Sequence, residues 1–275
     1  MRHILVPIDF SEDSLHALKN AIEYANKLKA NIRLIHVTKK YIAFNEEINL
    51  NKNFNKLNSS IEDYLNFVID KYKSKLNGTF DYKIREGKVY AEITNQAKYD
   101  NALMIVMGTH GMSGFEARWI GCNAFRVVVN SACPVVTIRR GFEKNGVKKI
   151  VMPIDLSSES RQKVPFVTNI AKQLGADIYL LDICSSDKDE KSEKLKDYSR
   201  QVAEYINKND VSCIKKFLVG NSMTDTVVDF SNVIDADLIA IMTEQSESAK
   251  DYLIGTYAQQ MINHSPIPVI SFNPV

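Results

Sequence analysis

The chain has 275 residues, 45% hydrophobic and 25% charged, the composition of a globular protein rather than a disordered chain, a collagen-like fibre or a coiled coil. Lys and Arg number 35 against 33 Asp and Glu, a net charge of +2 that argues against a dedicated nucleic-acid binder or a polybasic membrane binder. Apolar runs such as Ala102–Met107 are far shorter than the about 20 residues of a membrane span. The start, Met1-Arg2-His3-Ile4-Leu5-Val6 with Asp9 and Glu12 close behind, is too short and too acidic for a signal peptide. Cys122, Cys133, Cys184 and Cys213 form no C-x-x-C pair, so neither a disulfide framework nor a zinc site is expected, and a reducing cytoplasm is the expected location.

In chain order, Arg2–Pro7 is a short β-branched run and predicts a buried strand. Ser11-Glu12-Asp13-Ser14 supplies capping residues ahead of Leu15, Leu18, Ile22 and Ala25, which recur at helical spacing. A strand at Ile32–Val37 follows, then an Asn-rich stretch from Asn45 to Asn58 and a long helix around Ser60–Lys75. Next come a strand at Thr79–Arg85, Gly87, a helix at Tyr90–Lys98 and a strand at Leu103–Met107. A glycine-bearing stretch leads to a helix at Asn123–Asn130 and a strand at Val135–Ile138.

The chain then repeats itself. Arg2-His3-Ile4-Leu5-Val6-Pro7-Ile8-Asp9-Phe10-Ser11 returns as Lys148-Lys149-Ile150-Val151-Met152-Pro153-Ile154-Asp155-Leu156-Ser157. Arg33–Val37 returns as Tyr179–Ile183, Gly121 as Gly255, and Pro134-Val135 as Pro268-Val269. Strands are expected near 149–153, 178–183, 212–218, 237–242 and 268–272. Nearly continuous apolar strands alternating with helices imply an α/β fold, a parallel sheet covered on both faces. The expected organisation is two tandem Rossmann-like domains, 1–140 and 147–275, each a five-stranded parallel sheet flanked by helices. Arg139–Gly146 is a linker short enough to make the two pack together. The apolar last strands, Val135–Ile138 and Val269–Phe272, are expected to pair with pseudo-twofold symmetry.

Ligands of open parallel sheets collect beyond the carboxyl ends of the strands, where strand order reverses. In the first copy this places Pro7, Ile8, Asp9, Val37 and Met107 there, with the stretch Gly108-Thr109-His110-Gly111-Met112-Ser113-Gly114 and the helix start Gly121, Cys122, Asn123 and Ala124. Glycines after a strand expose backbone N–H groups and a helix start adds its positive dipole end, together an anion cradle; a tight turn is the plainer account of the same spacing. The spacing Gly108-x2-Gly111-x9-Gly121, the opening Val-Pro-Ile-Asp-Phe-Ser, the run Ile105–Gly111 and the closing Cys133-Pro134-Val135 resemble the universal stress protein family, in both halves of the chain.

The resemblance implies an adenine-nucleotide alpha-hydrolase-like fold and ATP, ADP or AMP as ligand, with Mg as the counter-ion of ATP. It assigns Asp9 and Val37 to the adenine and ribose end, and Gly108, Gly111, Gly121 and the residues after it to ribose and phosphates. Cys122 stands where the family has Ser or Thr, and a thiol is the weaker donor. His110 is placed either to touch phosphate or to shape its loop. In the second copy the stretch reads Met242-Thr243-Glu244-Gln245-Ser246-Glu247-Ser248, then Gly255-Thr256; the first two glycines are gone and carboxylates stand where a triphosphate would lie. Arg118, Arg126, Trp119 and the scattered His3, His36 and His264 are read as surface or packing residues.

No P-loop, G-x-S-x-G elbow or kinase signature is present. The expectation is a cytoplasmic stress-response module that binds adenine nucleotide in the first copy and acts on an unidentified protein partner, with no nucleic acid or membrane involved. The second copy completes an intrachain pseudo-dimer, and a homodimer is the further possibility. A nucleotide-free scaffold and a slow ATPase are the alternatives.

Overall fold

The computed structural model describes residues 2–38, 50–109, 121–144, 146–184, 190–243 and 256–274. The first copy runs β1 (His3–Pro7), α1 (Glu12–Leu28), β2 (Asn31–Thr38), α2 (Leu50–Tyr72), β3 (Phe80–Glu86), α3 (Val89–Tyr99), β4 (Met104–Gly108), α4 (Cys122–Asn130) and β5 (Val135–Ile138). The second runs β6 (Lys149–Ile154), α5 (Ser158–Leu174), β7 (Asp177–Cys184), α6 (Glu190–Lys208), β8 (Cys213–Val219), α7 (Met223–Val233), β9 (Leu238–Met242), α8 (Thr256–His264) and β10 (Val269–Phe272). The long helix of the first copy starts at Leu50, earlier than its apolar spacing indicates, and its expected last turn, Lys73–Lys75, is a 3-10 turn.

The repeat is visible in the helix ends. Ser11 caps α1 by accepting the Ser14 N–H at 3.1 Å, and Ser157 caps α5 by accepting the Ser160 N–H at 3.1 Å. Both helices stop at a left-handed residue, Lys29 (φ 51°) in the first and Gly175 (φ 69°) in the second.

Each copy contributes five mutually parallel strands flanked by helices, as expected, and the last strands of the two copies pair. All ten strands form one sheet in the order β3-β2-β1-β4-β5-β10-β9-β6-β7-β8. Pairing is parallel within each copy and antiparallel at the junction, where Val269, Ile270 and Ser271 face Thr137, Val136 and Val135. Every residue of β5 and β10 is buried; strands this apolar on both faces are not tolerated as open edges, and pairing them removes both.

Two apolar layers sandwich the sheet, and each runs through both copies. One lies under α1, α2, α5 and α6 and contains Leu18, Leu65, Ile170 and Ile206; the other lies under α3, α4, α7 and α8 and contains Ile93, Val127, Val227 and Met261. The junction is tied further by helix-end contacts related by the repeat. Asn273, just after β10, donates to the carbonyls of Val128 (2.9 Å), Val129 (3.3 Å) and Ser131 (2.8 Å) at the end of α4. Arg139, just after β5, donates to the Asn263 carbonyl at the end of α8, 3.3 Å away. In the linker, Lys144 Nζ pairs with Asp235 at 2.6 Å and Asp237 at 3.2 Å, and the Gly146 N–H donates to Glu23.

Candidate functional site

Strand order in the first copy is β3-β2-β1-β4-β5, so the chain reverses direction across the sheet between β1 and β4. β2 and β3 lie on one side of β1 and are reached through α1 and α2, whereas β4 and β5 lie on the other and are reached through α3 and α4. The connections that leave the carboxyl ends of β1 and β4 therefore part to opposite faces of the sheet, and the space between them is the switch point. Pro7, Ile8 and Asp9 stand at the end of β1, Val37 near the end of β2, and Met107, Gly108 and Thr109 at the end of β4. Ile8, Met107 and Gly108 are buried and Pro7, Asp9 and Val37 half-buried.

Asp9 shapes the turn that leads from β1 into α1. Its Oδ1 accepts the Ser11 N–H at 3.1 Å and the Ser11 hydroxyl at 2.5 Å, and Ser11 in turn caps α1. Asp155 makes the same pair of bonds to Ser157, at 2.8 and 2.5 Å. The aspartate thus has a structural duty in both copies, which accounts for its presence where the glycines have gone.

Phe10, next to Asp9, has φ 69°, a left-handed backbone that costs an L-residue about 1–2 kcal/mol. Its ring stacks on His36 (centroids 4.4 Å apart, planes 13° apart) and meets the edge of Tyr64 at 4.5 Å. His36 Nδ1 lies 2.7 Å from the Ile8 carbonyl oxygen. An acceptor at that position requires the proton on Nδ1. The sequence offered no signal for this group; Phe10 comes from the turn after β1, His36 from β2 and Tyr64 from α2, and only the tertiary fold brings them together.

Gly108 also has a packing duty. A Cβ there would stand 3.1 Å from both Asp13 Cβ and the Asp13 carbonyl oxygen. This glycine lets the first turn of α1 lie directly on β4, so its missing side chain makes room for protein. The neighbouring Thr109 is buried; its N–H donates to Ile138 at 3.1 Å and its carbonyl accepts the Gly121 N–H at 2.8 Å.

Gly121 is the N-cap of α4 and supplies no side-chain hydrogen bond to it. The first-turn N–H groups at Cys122, Asn123 and Ala124 have no carbonyl behind them in the helix. Cys122 and Asn123 are exposed, whereas Ala124 is buried against the sheet. The helix thus offers backbone donors and a dipole end to an anion. His110, Gly111, Arg118 and Trp119 lie outside the described residues. Arg126 places its guanidinium over the Tyr90 ring, 5.3 Å from the centroid, in keeping with a packing role. Two surface hollows lie away from the switch point, one between the linker and α7 at Phe142, Lys144 and Asn232, the other beside α3 at Arg85, Glu92 and Tyr99.

The second copy has the same topology with different chemistry. Met242 stands at the end of β9 where Gly108 ends β4; Lys163 replaces Ala17, Asp182 replaces His36 and Ser199 replaces Leu65. Lys163 is 3% exposed, and its ammonium donates to the Ser160 hydroxyl at 3.1 Å and carbonyl at 3.3 Å. Burial pushes its pKa down to about 8, against the opposing pull of Asp155. Asp182 is 1% exposed. One oxygen accepts the Ser199 hydroxyl at 2.5 Å and the other has no partner. Burial raises its pKa, opposed by the Ser199 bond and by Lys215 and Lys196. Gly255 lies outside the described residues.

A tandem α/β protein with a switch point in each half is the class that fold and site define. The model of the universal stress protein family matches residues 1–139 and again 146–272, and the chain belongs to that family. A universal stress protein of Methanocaldococcus jannaschii is 29% identical over 145 residues, covering 50% of this chain and 82% of that protein. The crystal structure of a universal stress protein from Archaeoglobus fulgidus matches with a TM-score of 0.78 over 98% of each chain, at 18% identity. A putative universal stress protein from Pseudomonas aeruginosa matches with a TM-score of 0.67 over 100% of this chain and 94% of its own, at 14% identity. The two-copy α/β architecture is therefore shared along the whole chain. No helix among the described residues is long and apolar enough to cross a membrane.

Proposed function

We propose that the first copy binds an adenine nucleotide, ATP, ADP or AMP, at the switch point between β1 and β4, and that the protein acts as a nucleotide-dependent regulatory module. The observation that carries this reading is the N-terminus of α4. Among the described residues it has no side-chain cap, and it is tied through Gly121 and Thr109 to the end of β4, so its first-turn N–H groups stand where the phosphates of a nucleotide would lie. Cys122, Asn123 and Ala124 would hold phosphate through their backbone N–H groups. The ribose and base would lie toward Asp9, Met107 and Val37, and His110 and Gly111 belong to the same glycine stretch. Mg²⁺ would enter with ATP as its counter-ion.

The second copy carries the supporting contrast. A buried methionine stands at the end of β9, and the stretch that follows it contains Glu244 and Glu247. One nucleotide per chain is therefore expected. The full-length protein is purified without added nucleotide and denatured, and any released ligand is identified by mass spectrometry. Calorimetric titration of nucleotide-free protein with ATP, ADP, AMP and adenosine gives the stoichiometry, and Gly111→Val should abolish binding. Two equivalent sites, or binding that survives Gly111→Val, would refute the assignment. No binding by any of the four would favour a nucleotide-free scaffold.

A further inference from the structure

We propose that His36 is a positioning residue for the site at the end of β1: from the far face of the sheet it holds the Ile8 carbonyl with its Nδ1–H and holds Phe10 with its ring. This inference rests on the nucleotide reading of the switch point. Ile8 is bound at both of its backbone polar groups, its N–H donating to Ile35 O at 2.9 Å and its carbonyl accepting from His36 at 2.7 Å. The Ile8 carbonyl and the Asp9 N–H belong to one planar peptide unit. Fixing the first sets the direction of the second, and with it the start of the Asp9 turn.

The next residue is held as well. Phe10 keeps its left-handed backbone while its ring lies between His36 and Tyr64. A bulky residue in that conformation persists only where its surroundings over-determine it, and His36 supplies one wall of those surroundings. His36, Phe10 and Tyr64 all sit on the α1 and α2 side of the sheet, whereas Val37 and Met107 face the α3 and α4 side. The imidazole therefore acts on the site through the backbone of β1, without lining it.

The second copy shows the corner without the clamp. Leu156 stands in place of Phe10, is 40% exposed and does not adopt positive φ. Asp182 stands in place of His36 with one buried oxygen unpartnered, and Tyr198, the counterpart of Tyr64, has the Arg161 guanidinium over its ring, 4.5 Å from the centroid. Both corners keep the aspartate and its serine. Among the differences between them is the pair His36 and Phe10, which falls in the copy that retains the glycine spacing.

The test uses the full chain with His36→Leu, which removes the donor, and His36→Asn, whose Nδ2 can stand where the imidazole Nδ1 stands. Amide ¹H–¹⁵N shifts of Asp9, Phe10 and Ser11 are recorded without ligand, and adenosine and ATP are titrated by calorimetry. His36→Leu should move those three amides and weaken adenosine and ATP by the same factor, about five- to tenfold, as expected for one hydrogen bond. His36→Asn restores the donor but not the ring against Phe10, so it should return the Asp9 amide toward its wild-type position and recover part of the affinity. Should His36→Leu fail to fold, His36→Asn alone decides: the Asp9 amide must stay near its wild-type position while the Phe10 amide moves. Unmoved amides in His36→Leu, or His36→Asn as impaired as His36→Leu, would overturn the proposal. A wild-type protein that binds neither adenosine nor ATP, with amides that move as stated, would refute the nucleotide reading and reduce His36 to a holder of the turn.

Discussion

Lys163 occupies in α5 the position that Ala17 occupies in α1, and it brings a cation into the apolar layer beneath the helix. Its folded pKa is about 8 against an ordinary 10.5. The unfolded chain therefore keeps this proton to higher pH than the folded chain does. Stability should rise as pH climbs from about 8 toward 10.5, and at pH 7 the full penalty of the buried ammonium is present. At 1.36 kcal/mol per pH unit that penalty is about 3 kcal/mol. Methionine keeps the length and drops the charge. The Ser160 hydroxyl keeps a partner in the Asp155 N–H, 3.3 Å away, but Asp155 loses its attraction to the ammonium. The net gain from Lys163→Met should be about 2 kcal/mol at pH 7, or roughly 4–8 °C in the melting midpoint at about 2–4 °C per kcal/mol. Urea and thermal unfolding of both proteins at pH 7 and pH 9.5 would measure it, and the advantage of the variant should shrink by more than half at the higher pH. A variant less stable than wild type at pH 7, or an advantage equal at both pH values, would show that Asp155 and Ser160 fully compensate the buried charge.

Gly108→Val should lower stability by about 1–3 kcal/mol, because its Cβ would press on Asp13 and push α1 off β4; an unchanged urea midpoint would show that α1 yields freely. Asn273→Ala strips one donor from three carbonyls at the end of α4 and should cost about 1–3 kcal/mol, read from equilibrium unfolding; a loss indistinguishable from zero would mean water replaces the amide without penalty. Cys122→Ser should tighten ATP by about 1 kcal/mol, the usual net worth of one hydrogen bond, and adenosine much less, since position 122 is the first residue of α4, the helix end proposed to hold phosphate. Titration with ATP, AMP and adenosine checks this, and an equal change for all three would place Cys122 away from phosphate.

Much of this architecture is legible in the residues alone because it depends on local rules. Apolar runs such as Ile4–Val6 and Ile105–Met107 read as buried strands, and Ser11 and Ser157 announce the starts of α1 and α5. The repetition of Val-Pro-Ile-Asp-Phe-Ser as Met-Pro-Ile-Asp-Leu-Ser marks two copies without any contact being known. Even the pairing of β5 with β10 follows from two apolar last strands that need cover. The start of α2 was not legible: residues 51–58 are rich in asparagine, a poor helix former, and the observed helix runs through them.

What the sequence determined by itself is the periodic content: strand, helix, repeat, and the end of the sheet where a ligand would lie. Only the tertiary structure decided which side chains share a corner. That Gly108 lets α1 lie on β4 is seen only in the fold. His36 looked like one scattered histidine until it met Ile8 and Phe10. Lys163 and Asp182, which no sequence pattern singles out, are buried by the fold. Spacing along a chain encodes which face of an element is apolar, but contacts between α2 and the turn after β1, or between α1 and β4, join residues far apart in sequence. The chemistry of each corner depends on those contacts, through the solvent they remove and the partners they supply.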